Sequence, residues 1–586
     1  MCGIFAYIGT QNTAAEIVLQ GLKVLEYRGY DSWGIAVKNN DVIAIEKHVG
    51  KIGDAHVSLP QSTIGIGHTR WATHGGVTVA NAHPHKDCTG KIALLHNGII
   101  ENFQELKDEL LSKGHTFVSE TDTEVASHMI EEYTKTMSFV DSVRHTFNCL
   151  RGLNAIVALH TTSDEIIAAK NGSPLVVGIG KNELFLASDV TGILPHTREV
   201  IFLKDNEMVV LGKELSLLGL PHGEVLKPTI EKIDWNIEST DKGTFDHFML
   251  KEIYEQPTII RNIAEEYEDQ IKDLAEVIKQ AKGTFLIGAG TAHYATIAGV
   301  YLFSKIAKMH VNTAPASEFN YLEDFLTDES LIIALSQSGE TIDIVEPLTR
   351  AKEKGSKIAG IVNALGSTIY RMSDYKMLLG AGPEKAVAST KAYTAKLAIL
   401  IMLVYATKGE IKKAKEILLA TADEMERLLE ESQVDQVKRL AKHLTDTKNM
   451  YTIGRSISYA TALEAALKTK EVSYIHTEGL AGGELKHGPI ALIEQGTPCI
   501  VFAPADETYD AIISNATEIK ARGGYIVGVA AKQAAIFDEW IEVKDTGVGS
   551  AITSVVPMQI LAYYLALEKH LDPDKPRNLA KSVTVK

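Results

Sequence analysis

Two stretches of this 586-residue chain return at almost a single interval. FLIGAGTAHYATIAG, beginning at Phe285, reappears 166 residues later as YTIGRSISYATALEA, beginning at Tyr451. ETIDIVEPLTRAKEKGSKIAGIV, from Glu340, reappears 167 residues later as ETYDAIISNATEIKARGGYIVGV, from Glu507. Two matches at one spacing call for two modules of the same topology in tandem. Each alternates short apolar strands with longer helical segments, as in TFLIGAGT followed by AHYATIAGVYLFSKIAK, and that alternation predicts βαβ units around a parallel sheet. GEIKKAKEILLATADEMERLLEES, Gly409 to Ser432, is the predicted helical join between them.

The first part of the chain reads differently. Short apolar runs such as IVALHTT and EIIAAKNGSPLVVGIG are separated by Gly, Asn and Pro, with helix-like NFQELKDELLSKG among them. This predicts an α+β layered domain. PHGEVLKPTIEKIDWNIESTDKG, Pro221 to Gly243, lacks a sustained apolar period and is the expected linker. The organisation read from sequence is therefore a domain over 1–220, a linker over 221–243, modules over 244–410 and 411–575, and a C-terminal tail over 576–586.

Composition narrows the function. A formal net charge of −16 argues against general affinity for nucleic acid, since phosphate-tracking proteins need excess Lys and Arg. No segment is expected to cross a bilayer and no secretory signal is visible, so the expectation is a cytoplasmic protein. Cys2, Cys88, Cys149 and Cys499 lie too far apart for a cysteine-based zinc motif or a disulfide scaffold, and neither metal nor cofactor is expected.

The copies differ in an informative place. After its strand the first carries Ser336, Gln337 and Ser338, where the second has Pro504, Ala505 and Asp506. Hydroxyls, backbone N–H groups and a helix start at the carboxyl end of a strand suit an anion, whereas Asp506 would repel one. Only the first copy is expected to bind a phosphate there; SQSGET as a plain helix cap is the competing reading.

Near the start, Cys2 stands in MCGIFAYIG. Removal of Met1 would place a thiol and a free α-amine on one Cα, and an amine with a reference pKa near 8 can take the thiol proton. The alternative is a small buried strand residue. RWATHG, HNGIIEN and SETDTE supply polar groups expected on loops. Arg70 and Asp122 fit the carboxylate and ammonium of an amino acid. Asn97 and Gly98 fit an oxyanion hole, while His74 and His96 are alternative bases.

With these residues in view, the chain resembles the isomerising glutamine:fructose-6-phosphate aminotransferases. The likeness runs from MCGIFAYIG through EYRGYDS, RWATHG, HNGIIEN and SETDTE to KEIYEQP, SQSGET, VASTKAYT, GELKHGPIAL and PRNLAKSVTV. The resemblance implies an N-terminal-nucleophile glutaminase domain of αββα layers, a class II glutamine amidotransferase, followed by two α/β sugar isomerase (SIS) domains. It implies L-glutamine and D-fructose 6-phosphate as substrates, no cofactor, and a homodimer or higher homo-oligomer. Cys2 would attack glutamine, with Asn97 and Gly98 as oxyanion hole and Arg70, Thr73, His74 and Asp122 around the amino-acid end. Ammonia would pass through an internal channel gated by Trp71. Ser336, Gln337, Ser338 and Thr341, with Thr291 and Ala292, would hold the sugar phosphate; Val387, Ser389 and Ala580 would touch the sugar. Lys581 would form the ketose imine, His487 would open the ring with Glu484 orienting it, and Glu471 would move a proton between C1 and C2 beside Lys468.

Two departures stand out against the family pattern: Ala292 where a serine is usual, and Trp33 where a small residue is commoner. A phosphoribosyl pyrophosphate amidotransferase would need a phosphoribosyl-binding strand ending in adjacent acids, which is not found. A non-catalytic sugar-phosphate sensor would need neither Cys2 nor Lys581 nor Glu471.

Overall fold

A computed structural model describes residues 2–233 and 242–583, and the chain divides into two compact units, Met1–Glu238 with Ala580–Lys586, and Ser239–Leu579. In the first unit, two antiparallel sheets of eight and seven strands stack face to face. Strand Gly3–Ile8 lies inside the larger sheet between Ile64–Arg70 and Leu184–Ala187. Strand Ile92–Gly98 lies in the smaller, beside Asn154–His160. Alternation sorts their side chains: Ala93 and Leu95 enter the core between the sheets, while Ile92 and Leu94 face outward into helices Phe103–Ser112, Glu124–Thr134 and Phe139–Cys149. Helix Ala14–Leu25 covers the outer face of the larger sheet, where Gly67 leaves room for Val18 and Leu22. The result is four layers, αββα.

The expected linker is partly strand. Val225–Leu226 and Glu231–Lys232 pair at the edges of the two sheets, and the rest of the stretch, 234–241, lies outside the described residues.

The second unit holds two five-stranded, wholly parallel sheets. In the first, Gly283–Gly288 sits between Asn312–Pro315 and Ser330–Ser336, followed outward by Lys357–Val362 and Tyr375–Leu378. In the second, Asn449–Gly454 sits between His476–Ala481 and Pro498–Ala503, followed by Tyr525–Ala530 and Glu539–Glu542. Both chain directions reverse at the same point, the crevice where ligands bind in open parallel sheets. The repeat extends to a turn: Ser456 takes φ 54° and ψ −131°, matching Gly290 at 54° and −126°. One apolar core runs through both modules, from Leu286 and Ala295 through Leu400 to Ala462, Val527 and Leu561. The predicted join is two helices, Ile411–Leu428 and Glu431–Leu444.

One stretch, Gly547–Glu568, is long and apolar enough to cross a membrane, which the sequence reading did not single out, yet 89% of its most apolar window is buried inside the protein. Its hydrophobicity serves the shared core of the two modules.

Candidate active site

The amino-terminal strand is anchored residue by residue. The Gly3 N–H donates to Thr69 Oγ1 (3.1 Å) and the Ile4 N–H to Ser188 Oγ (3.0 Å). The Cys2 carbonyl accepts from Asn97 Nδ2 (3.1 Å) and Arg28 Nε (3.3 Å), and Cys2 Sγ accepts the Trp71 N–H at 3.2 Å. Cys2 therefore opens on a pocket lined also by Thr73, Gly98, Ser173 and Ala580. Burial pushes the thiol up from its ordinary value, against the Trp71 N–H and the charges of Arg70 and Arg28. A nucleophile in this place needs a proton acceptor.

His96, Asn97 and Gly98, expected on a loop, are the end of strand Ile92–Gly98. Rigid strand geometry fixes Asn97 better than a loop would. Gly98 sits at φ 133°, and a Cβ there would lie 2.3 Å from the Leu153 carbonyl oxygen, so only glycine fits. His68 was not singled out from sequence. Its Nε2 lies 2.9 Å from Asn97 Oδ1 and 3.0 Å from the His96 carbonyl, two groups that only accept. Nε2 therefore carries the proton, and the Asn97 amide is turned with its NH₂ toward Cys2. Complete burial holds His68 down to about 3, keeping it neutral.

Arg70 is 3% exposed and donates to the carbonyls of Gly76 (3.1 Å), Gly75 (3.3 Å) and His74, clamping the loop after its strand. Asp122 Oδ2 accepts the Ile100 N–H at 2.8 Å. Trp71 meets Tyr30 edge-on at 5.6 Å, and His74 meets Phe103 at the same distance. Trp33 is buried and stacks on His48 at 4.5 Å.

The second cluster lies where the two parallel-sheet modules meet. Strand Ser330–Ser336 ends in a loop whose hydroxyls are already in register: the Gly339 N–H donates to Ser336 Oγ (2.9 Å), the Glu340 N–H to Ser338 Oγ (3.2 Å), and Ser338 and Thr341 hydroxyls approach to 3.4 Å. Thr341 precedes helix Ile342–Glu353, and the Asn363 N–H donates to the Gln337 carbonyl (3.1 Å). Gly339, at φ 65°, passes so close to Ser367 that a Cβ would lie 2.0 Å from its Oγ. Ala292 is buried at the start of helix Thr291–Leu302.

Helix Ile457–Ser473 of the other module packs on Thr291–Leu302. From it Lys468, fully buried, reaches Thr291 Oγ1 (2.9 Å), Glu471 (2.5 Å) and Glu464 (3.5 Å). Glu464 is the group that sequence reading missed. It stands one turn before Lys468 at i, i+4 in the same helix, a spacing that could have flagged it. Burial pushes its carboxyl up to about 7, with Lys468 opposing, and its Oε2 has no hydrogen-bond partner among the described residues. Burial pulls Lys468 down, but Glu464 and Glu471 outweigh it and leave the ammonium above its usual value. A cation flanked by two carboxyls, one titrating near neutral pH, is an arrangement able to exchange protons.

Ser389 Oγ donates to Glu384 (3.0 Å), and the Val387 N–H donates to the Asp574 carbonyl (2.9 Å). Glu484 and His487 are exposed on a short turn, linked by the His487 N–H to the Glu484 carbonyl (2.9 Å), with no hydrogen bond to the Lys468 group among the described residues. Lys581 belongs to the unit that carries Cys2.

Comparison with known proteins decides the family. A glutamine amidotransferase domain model matches residues 68–195, and a SIS domain model matches 277–406 and 443–569. Proteins named glutamine--fructose-6-phosphate aminotransferase [isomerizing] from Pyrococcus horikoshii and Thermococcus kodakarensis are 44% and 43% identical over all of both chains. This chain belongs to that family. Among solved structures, the C-terminal domain of glucosamine-fructose-6-phosphate aminotransferase from Francisella tularensis is 32% identical, spans 57% of this chain and all of its own, and superposes with a TM-score of 0.54. Tagatose-6-phosphate ketose/aldose isomerase from Escherichia coli, 17% identical over 57% of this chain and 96% of its own, shares the fold with a TM-score of 0.50.

Proposed function

We propose that this chain converts D-fructose 6-phosphate and L-glutamine to D-glucosamine 6-phosphate and L-glutamate, the entry into amino-sugar synthesis. The observation that carries the reading is the coexistence, in a full-length member of this aminotransferase family, of an anchored Cys2 pocket and a buried Glu464–Lys468–Glu471 cluster against a hydroxyl-rich loop.

Once Met1 is removed, the Cys2 α-amine accepts the thiol proton, which burial would otherwise retain on sulfur. The sulfur attacks the glutamine side-chain amide. Asn97, turned by His68, and the Gly98 N–H stabilise the oxyanion, each such donor worth about 100-fold to 1000-fold in rate. Arg70, Thr73, His74 and Asp122 hold the amino-acid end, with Arg70 also fixing the loop. Thioester hydrolysis returns glutamate. At the sugar site, Ser336, Gln337, Ser338, Thr341 and Thr291 bind the phosphate beside Ala292, and Val387, Ser389 and Ala580 contact the chain. His487, supported by Glu484, opens the ring. Lys581 forms the ketose imine that ammonia then converts. Glu471 carries the proton from C1 to C2, and Lys468 stabilises the oxygen charge that develops between. Ammonia stays unprotonated only if kept from bulk water, the role proposed for a Trp71-gated channel. A cytoplasmic homodimer or higher oligomer completes the reading, and sedimentation tests that assembly.

Incubation with both substrates should yield glucosamine 6-phosphate by mass spectrometry. Cys2→Ala should end glutamine hydrolysis and leave sugar binding intact. Lys581→Ala should spare hydrolysis and end sugar product; normal synthesis by either variant would refute the assignment.

A further inference from the structure

A second constellation lies in the first unit, and none of its residues lines the Cys2 pocket. Cys88 stands in the turn before strand Ile92–Gly98, His115 follows helix Phe103–Ser112, and His128 and Glu131 lie three residues apart on helix Glu124–Thr134. One ligating atom from each lies within 4.8 Å of all the others. Cys88 Sγ is 3.5 Å from Nδ1 of both His115 and His128, and Glu131 Oε2 is 3.2 Å and 3.4 Å from the same two nitrogens. A tetrahedral zinc ion with nitrogen and oxygen ligands near 2.0–2.1 Å and sulfur near 2.3 Å separates its ligand atoms by roughly 3.3–3.8 Å. Three of these four separations fall inside that range and the fourth, 3.2 Å, lies just below it.

A carboxylate stands behind each ring. His115 Nε2 lies 2.8 Å from Glu132 Oε1, and His128 Nε2 faces the buried Glu124 carboxylate at 3.5 Å, an ion-pair separation. Each ring thus turns its far nitrogen to a carboxylate, the arrangement by which metal-binding histidines are oriented. With Nε2 protonated, each Nδ1 directs a lone pair inward. Two ring nitrogens, a carboxylate oxygen and a sulfur converge, with the Cys88 N–H donated to Glu131 Oε2 at 3.0 Å and the Thr116 N–H to the sulfur at 3.4 Å. His115 is 6% and His128 1% exposed, while Glu131 is half-buried and Cys88 lies at the surface.

We propose that Cys88, His115, His128 and Glu131 form a structural zinc site with four protein ligands. On binding, the Cys88 S–H bond breaks, the sulfur bonds to the metal, and the proton goes to solvent. Thiolate and carboxylate then balance the charge of the divalent ion, and four protein ligands leave no open position for chemistry. The ion ties together three segments that touch the glutamine pocket's frame: the turn leading into the strand of Asn97, the chain after helix Phe103–Ser112, and the helix that begins two residues beyond Asp122. Cysteine spacing gives no sign of this site because one ligand of the four is a cysteine.

The test uses the purified full chain without a polyhistidine tag, stripped by chelator, reloaded with Zn(II), desalted and analysed by elemental mass spectrometry. Wild type and Cys2→Ala should each retain about one zinc per chain, and Cys88→Ser should retain little. Co(II) loading of wild type should give a thiolate-to-cobalt charge-transfer band and the intense visible bands of tetrahedral cobalt, both surviving Cys2→Ala and absent in Cys88→Ser. Glu132→Gln should weaken zinc affinity about tenfold through His115. Wild type that retains no zinc, or a cobalt spectrum without a thiolate band, or a band that persists in Cys88→Ser, would overturn the proposal.

Discussion

The two parallel-sheet modules begin from one plan and end with different chemistry. In the first, the loop after the third strand presents Ser336, Gln337, Ser338 and Thr341, with Gly339 bent tightly against Ser367. In the second, the equivalent loop carries Asp506, whose carboxylate is spent on the Thr508 N–H and hydroxyl, and Lys305 of the first module pairs with Glu507 beside it. The helices after the first strands diverge the other way. Thr291–Leu302 opens with the small residues Thr291 and Ala292, while Ile457–Ser473 buries Glu464 and Lys468 and half-buries Glu471. On the proposed reading, one copy grips an anion and the other moves protons. The two copies share one apolar core.

The comparison is most exposed at Lys468. Lys468→Met should lower kcat for glucosamine 6-phosphate formation by about 100-fold to 10,000-fold, the range of general acid–base and electrostatic contributions, with glutamine hydrolysis retained. A coupled assay of both half-reactions checks it.

Glu464 gives a pH signature. Its carboxyl rises from 4.5 to about 7 on folding, so the folded protein binds the extra proton between those values. Stability then falls as pH rises through that window and is flat above it, by about 3 kcal/mol in total. Denaturant unfolding of wild type against Glu464→Gln at pH 5 and pH 8 should show the wild type losing that much relative to the variant.

Ser456 holds the backbone that glycine supplies in the first module. Ser456→Gly should raise stability by about 1 kcal/mol, measured as a higher denaturant midpoint with unchanged slope. The smallest effect belongs to the silent loop: Asp506→Ser should alter the KM for fructose 6-phosphate by less than about twofold, within the range of substitutions away from a site.

The repeat and the layered first unit were legible because each rests on a period, an offset or a strand-turn-helix pattern. Cys2, Asn97 and the Ser336–Thr341 loop were legible because their chemistry needs particular residue types at a chain start or a strand end. What escaped was set by tertiary contact. His68 meets Asn97 through a tertiary contact, and nothing local marks it. Glu464 looks like one more charge on a helix until burial is known. The pairing of Val225–Leu226 and Glu231–Lys232 depends on neighbours distant in sequence, so the stretch reads as linker. Gly547–Glu568 shows that a helix apolar all round is ambiguous until its surroundings are seen.

The division of labour between the modules is tested most directly by calorimetric titration of fructose 6-phosphate into two variants. Ser338→Asp places the acid of the second copy in the loop of the first; Lys468→Met removes the buried cation. The account predicts that Ser338→Asp loses binding, whereas Lys468→Met binds within a few-fold of wild type while making almost no product. Undiminished binding by Ser338→Asp would contradict it.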